Sequence, residues 1–120
     1  MTVYKSFVGN KFVDNGNEFE VLDNNTNKVI HKVTAVKQEE IKGIVDKAAN
    51  AQKSWRKLSS YERGELLKKV AENITAKASE IGKVLADEIG SKSVADATNE
   101  AIYAGQITDF HAGWARRIEG

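Results

Sequence analysis

The 120-residue sequence predicts an α+β fold, two β-hairpins followed by four helices, and three observations carry that expectation. Up to residue 35 the apolar residues alternate or come in short runs, and from residue 38 they recur at helical spacing. Two turn signals, Gly9-Asn10 and the DNNTNK stretch from Asp23 to Lys28, divide the first part into hairpins. Two Ser-x-x-acid sequences, Ser59 with Glu62 and Ser93 with Asp96, open helices in the second.

In chain order, SFVGNKFVDN reads as two short strands around Gly9-Asn10, a pair that supplies the positive φ a tight hairpin needs. EFEVLDNNTNKVIHKV is the second hairpin, with Phe19 and Val21 on one strand, Val29, His31 and Val33 on the other, and Asn27 as the left-handed turn residue. Four strands are therefore expected in the first 35 residues, and residues 38–120 are expected to be helical. The first helix carries Ile41, Ile44, Val45, Ala48, Gln52 and Trp55 on one face, with Glu39 and Glu40 at its positive start. The second opens at Ser59 and carries Leu66, Leu67, Val70, Ala71 and Ile74. A third, with Ile81, Val84, Leu85 and Ile89, ends at Gly90, a residue suited to the left-handed C-cap. The fourth is expected to run from Ser93 to the terminus. Ala97, Ala101 and Ala104 face one way on it and Ile102, Ile107 and Phe110 another, so it expects partners on two sides. Phe110, Trp114 and Ile118 continue its stripe to Gly120, a second candidate cap, and an apolar helix with no later segment to cover it suggests the front piece of a longer protein.

Composition narrows the classes of function. A chain of this length is one domain's worth, with a modest core. The 18 basic residues nearly cancel the 17 acidic ones, and a net charge of +1 offers no field to steer nucleic acid or an anionic membrane. No cysteine is present, which excludes disulfides, thiolate metal sites and a cysteine nucleophile within these residues. MTVYKSFVGN has no apolar signal core, no apolar run approaches the ~18 residues of a membrane span, and a cytoplasmic location is expected by default. Proline is also absent, where an average usage of about 5% would give about six.

The chemistry-bearing residues do not assemble a site at sequence level. His31 lies in a strand and His111 on the last helix; neither is tied by spacing to a Ser or Asp, and a half-exposed structural histidine is the simpler reading. DNNTNK lacks the terminal acid of a calcium loop, and Gly82, Gly90 and Gly105 are isolated where a phosphate cradle needs a cluster. Arg116-Arg117 is better suited to complementing a helix C-terminus than to holding a phosphate, and Trp55 and Trp114, at helical spacing, read as core.

Five stretches nevertheless resemble, in order and spacing, the N-terminal part of the NAD(P)-dependent aldehyde dehydrogenases: FVGNKFVDN, FEVLDNNTNKVIHKV, AANAQKSWRKLSSYERGELLKKVAENI, GSKSVADATNEA and AGWARRIEG. The W-R-x-L-S-x-x-E-R block from Trp55 to Arg63 and the A-G-W-A from Ala112 to Ala115 are the most specific, and AQKSWRKLSSYER with EIGKVLADEI is most similar to the non-phosphorylating glyceraldehyde-3-phosphate dehydrogenase branch. The resemblance implies that the chain is part of the coenzyme-binding domain of an aldehyde dehydrogenase-like α/β fold. It implies an activity too: oxidation of a small aldehyde to an acid with NAD or NADP, through a cysteine thioester, an oxyanion held by an Asn amide and a backbone N–H, and a Glu general base. Those groups match no position here, so no catalytic, cofactor-binding or metal residue is expected in this chain, and it is expected to bind no cofactor alone. Asn99 and Tyr103 match positions that line the aldehyde entrance. The implied partners are the remainder of the enzyme chain and further copies in a homo-oligomer. The alternative is a free-standing helical interaction module without catalysis.

The sequence departs from the family where relatives commonly carry proline: Asp23-Asn24 stands for Asn-Pro, and Ser60 and Ser93 stand for prolines at helix starts. Each loss loosens the unfolded chain, at up to ~1 kcal/mol. The family's Asn-Gly turn is inverted to Gly9-Asn10, which suggests a type II′ hairpin in place of type I′.

Overall fold

The computed structural model describes residues 1–14 and 16–118, which fall into two compact units, Met1–Ser54 and Trp55–Gly120. In the first, β2 (Ser6–Val8) and β3 (Lys11–Val13) form one hairpin, and β4 (Glu18–Leu22) and β5 (Val29–Thr34) the other. Both expected hairpins are present, but the described residues hold five strands where four were expected. β1 (Thr2–Tyr4) lies parallel to β5, with Val3 opposite Lys32, giving a three-stranded sheet in the order β1-β5-β4. Three residues of TVY carry too little pattern to announce a strand, and a parallel partner 29 positions away leaves no local turn signal.

Central strand β5 is the best buried element of this unit, and its two buried residues are polar. Thr34 accepts the Ser6 N–H on Oγ1 at 2.7 Å, while the Ser6 hydroxyl reaches the Thr34 carbonyl at 3.1 Å, tying the first hairpin to the sheet. His31 is buried, not half-exposed, because strands pair on both sides of it and the Tyr4 ring meets it edge-on at 5.0 Å. Asn27 has φ 55°, the left-handed conformation expected. Gly9 and Asn10 both have positive φ, 59° and 62°, so the turn satisfies type I′ and not type II′, which needs positive φ only at its first position. Asn is the residue that makes this possible, since its short polar side chain tolerates the left-handed region. α1 (Gln38–Trp55) has the expected limits but buries no residue, and Ile41 and Val45 stay exposed.

In the second unit α4 (Val94–Ala112) packs against both α2 (Ser60–Ala76) and α3 (Ala78–Ile89). Among this unit's described residues the buried ones are Gly64, Ala71, Ala78, Gly82, Ala86, Ala97, Ala101, Gly105, Ala112 and Ala115, and no large side chain there is fully buried. The expected stripes of large residues are therefore only partly covered, with Leu66, Val70, Ile81 and Val84 all exposed. The contact runs through small residues because the backbones are close. A Cβ on Gly82 would lie 2.6 Å from the Thr98 backbone N and Cα, and one on Gly105 would meet the Thr75 hydroxyl and lie 3.2 Å from the Ala71 carbonyl oxygen.

α3 ends, as expected, at Gly90 in the left-handed conformation with φ 73°. α4 ends earlier than expected: after Ala112 the chain tightens into a 3-10 turn, Gly113–Arg116. Phe110, Trp114 and Ile118 consequently do not form one α-helical stripe, since three residues per turn rotates Trp114 away from the row. Trp55 and Trp114 are partly exposed and not core, and Ala104 is exposed while Ala97 and Ala101 are buried. Gly120 lies outside the described residues.

Each position that lacks the family's proline has a side-chain hydrogen bond at the same turn. The Asp23 carboxylate accepts the N–H groups of Asn25 and Thr26, both at 2.8 Å. At the start of α2 the full capping box is formed: Ser59 Oγ accepts the Glu62 N–H at 3.1 Å and Glu62 accepts the Ser59 N–H at 2.8 Å. Ser93 itself caps α4, its Oγ accepting the Asp96 N–H at 3.0 Å. These groups restrain from within the folded state what a proline ring restrains covalently.

Candidate functional site

Asn99 and Tyr103 lie one turn apart on α4, about 6 Å along its axis, and share a face. At 100° per residue Tyr103 points about 200° away from Ala101 and Gly105, the residues buried against the neighbouring helices. Both are exposed, Tyr103 at 62%, and the face continues through Ile107 to Phe110 at 63%. Tyr103 is thus not packed into the described helical unit. What the face offers is the Tyr103 and Phe110 rings and the Ile107 side chain, with the Asn99 amide at one end.

The other candidate residues are engaged in holding structure. Arg116 pairs with Glu65 at 3.2 Å and lies 4.3 Å from the centre of the Tyr61 ring, so it fastens the 3-10 turn to α2. Arg117 lies over Trp114 at 5.9 Å. His111 meets Phe110 edge-on at 5.4 Å. The Trp55–Arg63 block also has a structural explanation: the Leu58 N–H donates to Trp55 O at 3.1 Å, Arg63 donates to Leu58 O at 2.8 Å, and Ser59 and Glu62 form the box. Its specific residues close the junction between α1 and α2 on itself. Among the described residues no three His, Cys, Asp or Glu side chains gather to hold a metal. No described helix is long and apolar enough to cross a membrane.

Dinucleotide binding needs a glycine-lined turn open to a pyrophosphate at a helix start. Five of the described glycines are otherwise engaged: Gly64, Gly82 and Gly105 are filled by neighbouring helices, and Gly9 and Gly90 sit in turns, while Gly16, Gly43 and Gly113 have open space where a Cβ would stand.

Three carboxylates are held below their ordinary range. Asp14 is lowered first by the Lys5 ammonium, 3.2 Å away, then by the Gly16 N–H. Asp23 is lowered by the Thr26 and Asn25 N–H groups, and Glu62 by the Ser59 N–H and hydroxyl. All three belong to turns or caps, so their perturbation marks local architecture and not catalysis.

The described residues thus comprise a short mixed sheet in one unit and, in the other, helices packed through small residues with an exposed aromatic face on α4. The sequence profile of the aldehyde dehydrogenase family matches residues 12–120, and the chain belongs to that family. It corresponds to the N-terminal portion. It is 34% identical over 117 residues to the NADP-dependent glyceraldehyde-3-phosphate dehydrogenase of Streptococcus equinus, covering 98% of this chain and 24% of that protein. The crystal structure of lactaldehyde dehydrogenase from Escherichia coli superposes with a TM-score of 0.87 at 28% identity, over 98% of this chain and 25% of that one. A 3,6-anhydro-L-galactose dehydrogenase in complex with NAP shares the fold with a TM-score of 0.91 at 24% identity, over 99% of this chain and 25% of that one. The chain thus spans about a quarter of the length of these relatives.

Proposed function

We propose that this chain serves as the N-terminal scaffold of an NAD(P)-dependent aldehyde dehydrogenase that oxidises a small aldehyde to a carboxylic acid, with the thiolate, general base and nucleotide fold supplied by other parts of the enzyme. The observation that carries the reading is the family match over residues 12–120. In this reading the chain forms part of the coenzyme-binding domain, and the exposed face of α4 contacts the rest of the enzyme. Asn99 and Tyr103 line the aldehyde entrance; their shared, outward face on α4 supports that role. A cytoplasmic homo-oligomer is part of the same proposal.

The test is expression of the reading frame that encodes these residues, followed by NAD(P)H absorbance with a panel of short aldehydes. Aldehyde-dependent reduction of NAD or NADP is expected. A gene product that contains the family's catalytic cysteine yet reduces neither cofactor with any aldehyde overturns the activity, and a frame that stops at Gly120 favours the non-catalytic module.

A further inference from the structure

We draw no further inference here: the strongest candidate, the apolar face of α4 that exposes Tyr103, Ile107 and Phe110, belongs to the surface already read as contact with the rest of the enzyme, and nothing in the structure shows what else covers it.

Discussion

Two glycines on two helices separate close approach from mere exposure. Gly82 of α3 has the Thr98 backbone 2.6 Å from where its Cβ would stand, and backbone cannot rotate aside. Gly43 of α1 has nothing within 4 Å. Alanine at a helix interior gains roughly 0.5–1 kcal/mol over glycine where there is room, whereas overpacking costs about 1–3 kcal/mol. Gly82→Ala is therefore expected to lower the thermal midpoint and Gly43→Ala to raise it slightly; equal shifts of the same sign in thermal melts would contradict the packing. Tyr103 poses a question of function at the same scale. If it walls the aldehyde entrance, Tyr103→Ala in the whole enzyme removes a contact common to ground and transition states, so KM rises far more than kcat falls. The preference between a short and a long aldehyde then moves by about 1–3 kcal/mol toward the longer. Unchanged ranking with a lower melting temperature would assign Tyr103 to packing against the rest of the enzyme.

At the scale of elements, caps and turns were legible in the sequence and partners were not. Ser59 with Glu62, Ser93 with Asp96, Asn27 and Gly90 act within a few residues of themselves, so local chemistry announces them. The parallel pairing of β1, the early end of α4 and the burial of alanine in place of leucine depend on distant backbone, for which hydrophobic periodicity carries no signal. Asn99 and Tyr103 could be placed on one helix face from spacing alone, but only the family resemblance suggested a role for that face. The helix starts yield a further test. Ser60 is the first residue of α2 and Ser59 before it is extended, at φ −60° and ψ 158°, which suits a residue preceding proline. Ser60→Pro should stabilise by about 0.4–1 kcal/mol. Ser93→Pro forfeits a hydroxyl cap of about 1 kcal/mol and should not stabilise. Chemical denaturation of the two variants reads the contrast, and a more stable Ser93→Pro would remove the cap from the account.

Acid bears on the same elements. A carboxylate whose folded-state pKa is depressed stabilises the fold fully above its ordinary pKa and loses that contribution as pH falls through the lowered value. For Asp23 and Glu62 the window lies at and below the usual carboxylate range, so the Asp23 turn and the start of α2 should loosen in acid while remaining intact at neutral pH. Carboxyl chemical shifts followed by NMR should show both titrating below free-residue values. Asp23→Asn, whose amide oxygen accepts the same two N–H groups, should flatten the acid limb of turn stability; an unaltered limb would exclude Asp23 as its cause.

For the whole molecule, the decisive fact is how little of its large apolar surface is covered. Among the described residues the buried hydrophobic ones are all alanines, while Tyr103, Phe110 and Trp114 remain open. Patches of this kind mark contact surfaces and, left bare, drive association. Residues 1–120 alone are expected to self-associate or to bind an apolar dye such as ANS, and to give no saturable heat with NAD or NADP in titration calorimetry. A monodisperse, cooperatively melting monomer without dye binding would contradict the first expectation, and saturable cofactor binding the second.

Helices that meet through glycine and alanine also decide where this sequence is free to drift. Where main chain touches main chain, a new methyl group has nowhere to go, so Gly82, Ala97, Ala101 and Gly105 tolerate almost no growth. The bulky exposed residues can change with little effect on the fold of these residues. Random variants sorted for folding alone should therefore be lost at the small positions and kept at Tyr103, Ile107 and Phe110. Sorted instead for aldehyde oxidation by the whole enzyme, positions lost only in that second sort would trace the outline of whatever α4 supports.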